Sequence, residues 1–169
     1  QIEHNGKSSY LFGTIHVGDD EIKNLPEPII LALKRSEKLV VEVNITDIPA
    51  WQVQQSTLKW GALPQGKTLK SELSAKHYSL FETYFKNKNI NIDLFQTVKP
   101  WMVSLTMLMM EYQNAGYSEE FGVDKNLMSL AKQHQIAIKE LESLDEQLAL
   151  FDRIAKNSGD YIEDMFAEF

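Results

Sequence analysis

The 169-residue sequence contains no cysteine, and this absence removes three kinds of chemistry together. Disulfide bridges, cysteine-ligated zinc and thiol nucleophiles all need a thiol side chain. Any metal site must therefore use histidine, aspartate, glutamate and water, a donor set that suits Mn²⁺, Zn²⁺ or iron better than Cu⁺. The absence does not fix the compartment, because cytosolic and periplasmic proteins can both lack cysteine.

The sequence also has no long apolar run and no basic cluster. Its most apolar stretch, residues 101–110, is shorter than the roughly 20 residues that a membrane-spanning helix needs. The formal net charge is −7, and the lysines and arginines are dispersed, whereas a nucleic-acid-binding protein normally presents a basic face. We therefore expect no membrane span in this chain and no nucleic-acid partner.

Several motifs of well-known enzyme classes are absent as well. The sequence has no phosphate-binding loop, no dinucleotide-binding glycine fingerprint, no Gly-x-Ser-x-Gly elbow and no His-Glu-x-x-His helix. It begins at Gln1 without a signal-peptide pattern, which is compatible with a leader that has been removed. The compartment stays open, with a slight preference for a periplasmic or otherwise extracytoplasmic location.

Strand and helix patterns alternate along the chain and predict an α/β fold. Runs rich in β-branched and aromatic residues predict strands over residues 8–15, 38–43 and 136–141. A short helix beginning near Pro26 and Pro28 separates the first two strands, and the three elements together have the length of a βαβ unit. We therefore expect a mixed central sheet with flanking helices and a helix-rich middle.

Apolar residues at helical spacing predict most of the remaining structure. The predicted helices cover residues 48–58, 75–85, 100–115, 123–134 and 144–154. Residues 160–169 also have a helical pattern, which breaks off at the end of the sequence. No linker is long or polar enough to divide the chain, so we expect one domain.

The predicted helix over residues 100–115 is unusual because it is apolar on nearly every face. It carries Met102, Met107, Met109 and Met110. A helix of this kind is buried in a core or packs against another subunit. Methionine stripes are more often adaptable core than binding surfaces, but a homodimer or peptide surface stays open as an alternative.

Two glutamates follow strand-like runs at similar positions. Glu42 ends "LVVE" and Glu142 follows "IKEL", so both are expected at the carboxyl ends of strands. Open α/β sheets bind their ligands at these ends. A carboxylate beside apolar walls has a tunable pKa that suits a base or a metal ligand. The plainer interpretation is a solvated carboxylate on an edge strand.

His16 lies directly after the first predicted strand, between Gly13 and Gly18. Glycine permits an unusual backbone conformation or a close backbone approach. Neutral imidazole is a common metal ligand and a general base near neutral pH. A hydrogen-bonded histidine in a turn is the plainer interpretation.

The other polar candidates have simpler explanations. We interpret His4, His77 and His134 as structural or exposed, and His134 in particular as a residue at a helix C-terminus. The acidic residues 19–21 are typical of a solvated loop. Asp124 follows Gly122 by two residues and most simply caps the next helix.

Taken in order, four segments resemble the TraB/GumN family (TraB/PrgY/GumN), to which the Tiki metalloproteases are related. They are "YLFGTIHVG", "VVEV", "KPWM" and "GYSEEFGVDKNLMSLAKQHQIAIKELESLDEQLALF". The resemblance covers residues 10–151, and the ordered set is far more specific than any one piece. The positions that match the family pattern are Gly13, His16, Glu42, Gly122, Val123, Asp124, Leu141, Glu142 and Gln147.

In this family and its superfamily, which includes erythromycin-esterase-like and haem-binding ChaN-like proteins, paired His and Glu residues face one cleft. In Tiki members they support divalent-metal-dependent peptide hydrolysis. The resemblance therefore implies a metal-dependent peptidase that acts on a peptide or protein segment with Mn²⁺, Co²⁺ or Zn²⁺. It implies His16 as ligand or acid/base, Glu42 as ligand or base, and Glu142 as a second carboxylate.

One departure from the family pattern bears on this implication. The family carries a second Gly-x-x-His motif near its C-terminus, and these 169 residues contain none. We therefore expect residues 1–169 to be a single TraB/GumN-like domain that is an N-terminal fragment without the second motif. A non-catalytic peptide- or haem-binding module is the alternative function. A second alternative function is that of an interaction protein that dimerises through the Met-rich helix. A homo-oligomer is also compatible with the sequence.

Overall fold

A computed structural model describes residues 1–22 and 24–157, and the helical pattern over residues 160–169 lies outside this part of the chain. The α/β class is confirmed. The helices are α1 (Glu27–Lys34), α2 (Ala50–Gly61), α3 (Leu69–Glu72), α4 (Ala75–Asn87), α5 (Pro100–Asn114), α6 (Val123–Gln133) and α7 (Leu144–Asn157). The strands are β1 (Ile2–His4), β2 (Lys7–Ser9), β3 (Lys38–Val41) and β4 (Ala137–Glu140).

Apart from α3, which is absent from the predicted set, the helices begin and end close to the predicted positions because local signals set their ends. Proline lies in the first turn of α1 and begins α5, where its missing N–H costs no helical hydrogen bond. The Ser74 hydroxyl accepts a hydrogen bond from the His77 N–H and caps α4. Gly116 follows α5 with a φ of 89°, a conformation that glycine adopts at little cost. None of the helices over the described ranges is long and apolar enough to span a membrane.

By its internal contacts the chain divides into two compact units. The strand unit comprises Gln1–Ile48 and Glu111–Ser143, and it contains all four strands. The helical unit comprises Pro49–Met110 and the segment from Leu144 onward. The strand unit contains the predicted site residues His16, Glu42 and Glu142. Gln147, which matches only the family pattern, lies in the segment from Leu144 onward.

The helical unit has a dense apolar core. Its fully buried side chains are Leu69, Phe81, Phe85, Val103 and Met107, all with 0% exposure. Phe85 also stacks on Phe95 with ring centroids 4.5 Å apart. Because Met107 lies inside this core, it is unavailable for a contact with another subunit. Met107 therefore belongs to the core, as the commoner interpretation of a methionine stripe predicts, whereas Met102, Met109 and Met110 are half-buried.

A buried polar cluster joins the start of α5 to α7 within the helical unit. Lys99 Nζ lies 2.8 Å from Asp152 Oδ1, and Trp101 Nε1 donates to the same oxygen over 3.1 Å. The Trp101 ring stacks on Phe151. The "KPW" segment thus has a structural role here, because its lysine and tryptophan together satisfy one buried carboxylate.

In the strand unit, β3 pairs in parallel with β4, so that Val41 lies opposite Glu140. One face of this pair packs on α1 and α6, where Leu33, Leu127 and Ala131 are buried. The other face is uncovered by the described residues, and Val40 is 47% exposed. The strands predicted over residues 38–43 and 136–141 are therefore confirmed as β3 and β4, and the pair that they form is covered on one face.

The first predicted strand is wrong beyond its first two residues. β2 ends at Ser9, and residues 10–15 have no regular structure. Leu11 is 86% exposed and Phe12 is 42% exposed. Aromatic and β-branched residues favour a strand only where a neighbouring strand receives their backbone hydrogen bonds. In the described chain β2 pairs with β1 alone, and the expected βαβ unit around α1 is therefore not formed.

Candidate functional site

His16 lies where two segments of the strand unit meet. Gly18 and Ser118 form an antiparallel bridge, with N–H to carbonyl distances of 2.9 Å and 2.7 Å. Beside it, the Val123 N–H donates to the carbonyl of Ile15 over 2.9 Å. These backbone hydrogen bonds attach the loop that carries His16 to the start of α6.

Glycine is required on both sides of this junction. A Cβ on Gly18 would overlap the carbonyl of Phe121, and a Cβ on Gly122 would overlap the carbonyl of His16. Since the overlapping atoms are backbone, they could not move aside without moving a segment. Gly13, in contrast, has open space around it. The glycines that matter for close approach are therefore Gly18 and Gly122, and Gly13 is not among them.

The junction brings His16 against Asp124. His16 Nδ1 lies 2.9 Å from Asp124 Oδ2, while the His16 side chain is 71% exposed and that of Asp124 only 14%. A carboxylate at Nδ1 favours the tautomer that carries its proton there, which leaves a lone pair on Nε2. Such an imidazole can bind a cation or accept a proton.

Asp124 has a different role from the one expected. Gly122 is the N-cap residue of α6, and no side chain caps this helix. Asp124 lies in the first turn, where the helix dipole favours a negative charge. Its second oxygen, Oδ1, is buried without a hydrogen-bond partner among the described residues. The prediction that Asp124 caps the helix is wrong, because its carboxylate contacts the side chain of His16, which is distant in sequence.

Glu42 and Glu142 lie side by side at the ends of β3 and β4, as the sequence predicts. The Leu141 N–H donates to the Val41 carbonyl over 2.9 Å, and the Glu142 N–H donates to the Glu42 carbonyl over 3.0 Å. The Glu42 side chain is exposed and that of Glu142 is half-buried. The backbone therefore places both glutamates at the carboxyl end of the parallel pair.

A polar network fixes the loop that follows Glu42. The N–H of the buried Asn44 donates to Glu140 Oε1 over 2.7 Å, and its side-chain amide donates to Asp47 over 2.6 Å. Lys132 Nζ lies 2.5 Å from the other oxygen of Asp47. The Lys132 ammonium, and next the Asn44 amide, hold the pKa of Asp47 below its ordinary value. The sequence-based prediction does not include this network, although the polar run "NITD" after a strand is a signal for it.

The described residues do not complete a metal centre. Over residues 1–22 and 24–157, no three His, Asp or Glu side chains are grouped so that they could hold a metal ion. Depressions of about 680 Å³ and 310 Å³ lie along α4. Neither is lined by His16, Glu42 or Glu142. The structure thus presents a His16–Asp124 pair and a pair of strand-end glutamates.

Comparison with known families identifies the chain. The model of the TraB/PrgY/gumN family matches residues 1–168. The chain belongs to the TraB/PrgY/gumN family. This confirms the resemblance carried by His16, Glu42 and the segment around Asp124.

Two curated relatives are similar to the chain. It is 26% identical over 144 residues to a protein of Shigella flexneri named "Uncharacterized protein YbaP", an alignment that covers 85% of this chain and 52% of that protein. It is also 26% identical over 141 residues to the protein of the same name from Escherichia coli K12, covering 83% and 50%. The chain therefore spans about half the length of these relatives. No solved structure matches it significantly.

Proposed function

We propose that the chain carries a hydrolase site of the TraB/PrgY/gumN type that cleaves a peptide or protein segment. The observation that carries this proposal is the His16–Asp124 pair, with Nδ1 and Oδ2 2.9 Å apart and the imidazole 71% exposed. An exposed imidazole oriented by a nearly buried carboxylate is suited to proton transfer near neutral pH.

His16 would act as the acid/base of the reaction. Its Nε2 takes a proton from the attacking water and returns it to the leaving amine, while Asp124 holds the ring and stabilises the imidazolium. Glu42 and Glu142 supply the carboxylates at the ends of β3 and β4, with Glu42 as a base or ligand and Glu142 as the second carboxylate.

We also propose a divalent cation, Mn²⁺, Co²⁺ or Zn²⁺, as the cofactor, with His16 and Glu42 as ligands. In that arrangement His16 Nε2 would hold the cation in place of its acid/base role, because Asp124 occupies Nδ1. A bound cation lowers the pKa of its water and polarises a carbonyl. The described residues alone do not supply a complete ligand set, so water and donors outside the described ranges would have to fill the other positions. The proton transfer at His16 is therefore derived without the metal.

A polypeptide substrate is supported by the segment before His16. Residues 10–15 are without regular structure, and Leu11, Phe12 and Ile15 expose 86%, 42% and 44% of their surface. An exposed apolar segment without a strand partner can add a substrate strand through its free backbone groups and contact alternate side chains. Small-molecule sites are instead enclosed cavities, and neither of the two depressions along α4 involves these residues.

The proposal is tested by metal titration and by peptide cleavage. Calorimetry with Mn²⁺, Co²⁺ and Zn²⁺ should give saturable binding, which His16→Ala and Glu42→Ala should each weaken by more than the roughly 10- to 100-fold that loss of a residue orienting a ligand costs. Asp124→Asn should weaken binding less than His16→Ala, because it removes only the orienting carboxylate. His4→Ala is the matched control, since His4 is also exposed and lies in β1 of the same unit.

Cleavage of a peptide library, read by mass spectrometry, separates the enzyme from its alternative. The hydrolase requires products that disappear in His16→Ala and in Glu42→Ala but persist in His4→Ala. If all three variants bind metal and cleave as the parent does, the site assignment is wrong. Peptide affinity that survives a chelator and gives no product would instead support a non-catalytic binding module, which the exposed residues 10–15 also favour.

A further inference from the structure

One edge of β3 is unpaired in the described part of the chain. β4 occupies the other edge, and these two strands form a sheet by themselves. Lys38, Val40 and Glu42 are exposed, whereas Leu39 and Val41 are half-buried. An open edge on a parallel pair is uncommon, because parallel strands are normally enclosed within a larger sheet.

The register with β4 shows which backbone groups of β3 point to the open edge. The Val41 carbonyl accepts from the Leu141 N–H, so Val41, and with it Leu39, directs its backbone groups towards β4. Successive residues of a strand direct these groups to opposite sides. The N–H and carbonyl groups of Lys38 and Val40, and the N–H of Glu42, therefore point away from β4.

The residues along this edge are complementary to themselves. Residues 38–42 read Lys-Leu-Val-Val-Glu. If a second copy lies antiparallel with Val40 opposite Val40, then Lys38 of each copy lies opposite Glu42 of the other. Opposite charges directly across an antiparallel pair stabilise it, and like charges destabilise it.

We propose that the open edge of β3 binds β3 of a second copy of this chain, in an antiparallel pair centred on Val40. The backbone groups fit this register, because Val40 forms a hydrogen-bonded pair with Val40 of the second copy, and the Glu42 N–H can donate to the Lys38 carbonyl opposite it. The Glu42 carbonyl accepts from the Glu142 N–H of its own chain. The contact is isologous and closes on itself, as in most homodimers. A parallel partner would place Lys38 against Lys38 instead.

The charge pattern favours this occupant over an unrelated strand. Each dimer contains two Lys38–Glu42 pairs, one on each side of Val40, and a one-residue shift of register would lose both. The edge is only five residues long, and a stable interface usually buries about 1,200 Å² or more. The dimer is therefore expected to be weak and to depend on protein concentration.

Sedimentation velocity over a range of concentrations tests the proposal, with a chelator present so that no cation competes at Glu42. The parent chain should show a monomer–dimer equilibrium. Lys38→Glu and Glu42→Lys should each weaken it by about tenfold or more, because each turns two attractive pairs into repulsive ones. The double variant K38E/E42K should restore the dimer, since it returns opposite charges to both positions.

Lys139→Glu is the matched control. Lys139 is exposed on the neighbouring strand β4 and carries the same charge, but it does not lie on the β3 edge. Its charge reversal should leave the equilibrium unchanged. A parent chain that stays monomeric at every concentration would overturn the proposal, and so would a double variant no better than the single ones.

A cross-link tests the register independently of charge. The chain has no cysteine, so Val40→Cys introduces a single thiol. Hydrogen-bonded residues directly opposite each other have Cα atoms about 5.5 Å apart, within the range of about 4.4–6.8 Å that a disulfide spans. Mild oxidation should cross-link V40C into a dimer and leave the Lys139→Cys control monomeric. Equal cross-linking of both variants would contradict the register, even if both variants were destabilised.

Discussion

The two units of this chain both expose large apolar side chains, such as Leu11 in the strand unit and Leu94 in the helical unit, but they differ in the size of their fully buried cores. In the helical unit Leu69, Phe81 and Phe85 are fully buried. In the strand unit Leu11 and Leu141 expose 86% and 73% of their surface. The strand unit nevertheless contains His16, Asp124 and both glutamates. The functional candidates therefore lie in the unit that contains the strands, and the helical unit supplies the larger fully buried core.

The difference follows from how helices and strands satisfy their backbones. A helix makes its hydrogen bonds within one segment and needs a neighbour only for its apolar face. A strand depends on a second strand for every ladder hydrogen bond. In the described chain β3 pairs with one other strand, and residues 10–15 pair with no strand. Apolar side chains and some backbone groups of the strand unit are therefore available for a substrate or another chain.

The largest expected effect on the free energy of unfolding comes from truncating one apolar side chain in each unit and comparing the two losses. Phe85→Ala should lower the free energy of unfolding by about 3–5 kcal/mol, because it leaves a cavity in the core of the helical unit. Leu11→Ala should change it by less than about 0.5 kcal/mol, because the side chain is already exposed. Urea unfolding followed by circular dichroism measures both. Equal losses would mean that residues 10–15 are covered in solution.

An intermediate effect is expected at the junction that holds His16. Gly122→Ala should cost about 1–3 kcal/mol, because its methyl group would displace the backbone of His16. Gly13→Ala is the matched control in the same loop and should be close to neutral, since nothing lies near its Cβ position. Urea unfolding gives the energies, and the NMR shifts of the His16 ring report its contact with Asp124. A neutral Gly122→Ala would show that the two segments are not held together.

The smallest effect compares one exposed ion pair in each unit as the pH is lowered. Lys132, and next Asn44, lower the pKa of Asp47 in the strand unit, while Lys59, and next Ser56, lower that of Asp145 in the helical unit. A lowered folded-state pKa stabilises the fold above the ordinary value of 3.8, and this stabilisation is lost as the pH falls through the folded-state pKa.

Asp47→Asn and Asp145→Asn should therefore be slightly less stable than the parent at about pH 6, and the difference should shrink below about pH 4. Urea unfolding at a series of pH values measures it for each variant. A difference that grows towards low pH would contradict the sign, because it would require a carboxyl that is stabilised by protonation.

Local sequence determined every helix given above except α3, together with the strands β3 and β4. Proline at the start of α5, glycine after its end and the apolar spacing of α6 are signals that act within a few residues. The positions of Glu42 and Glu142 at strand ends follow from the same local patterns. These features are predictable because each depends on hydrogen bonds and contacts between near neighbours in the chain.

Only the tertiary structure decided the partners of the remaining residues. Residues 10–15 have the composition of a strand but no neighbouring strand in the described chain, and Asp124 turns from a helix cap into the partner of His16, 108 residues away. Gly122 permits that contact by its lack of a side chain, which no local pattern reveals. Contacts between distant segments depend on how the whole unit packs, and a sequence pattern describes only the residues beside it.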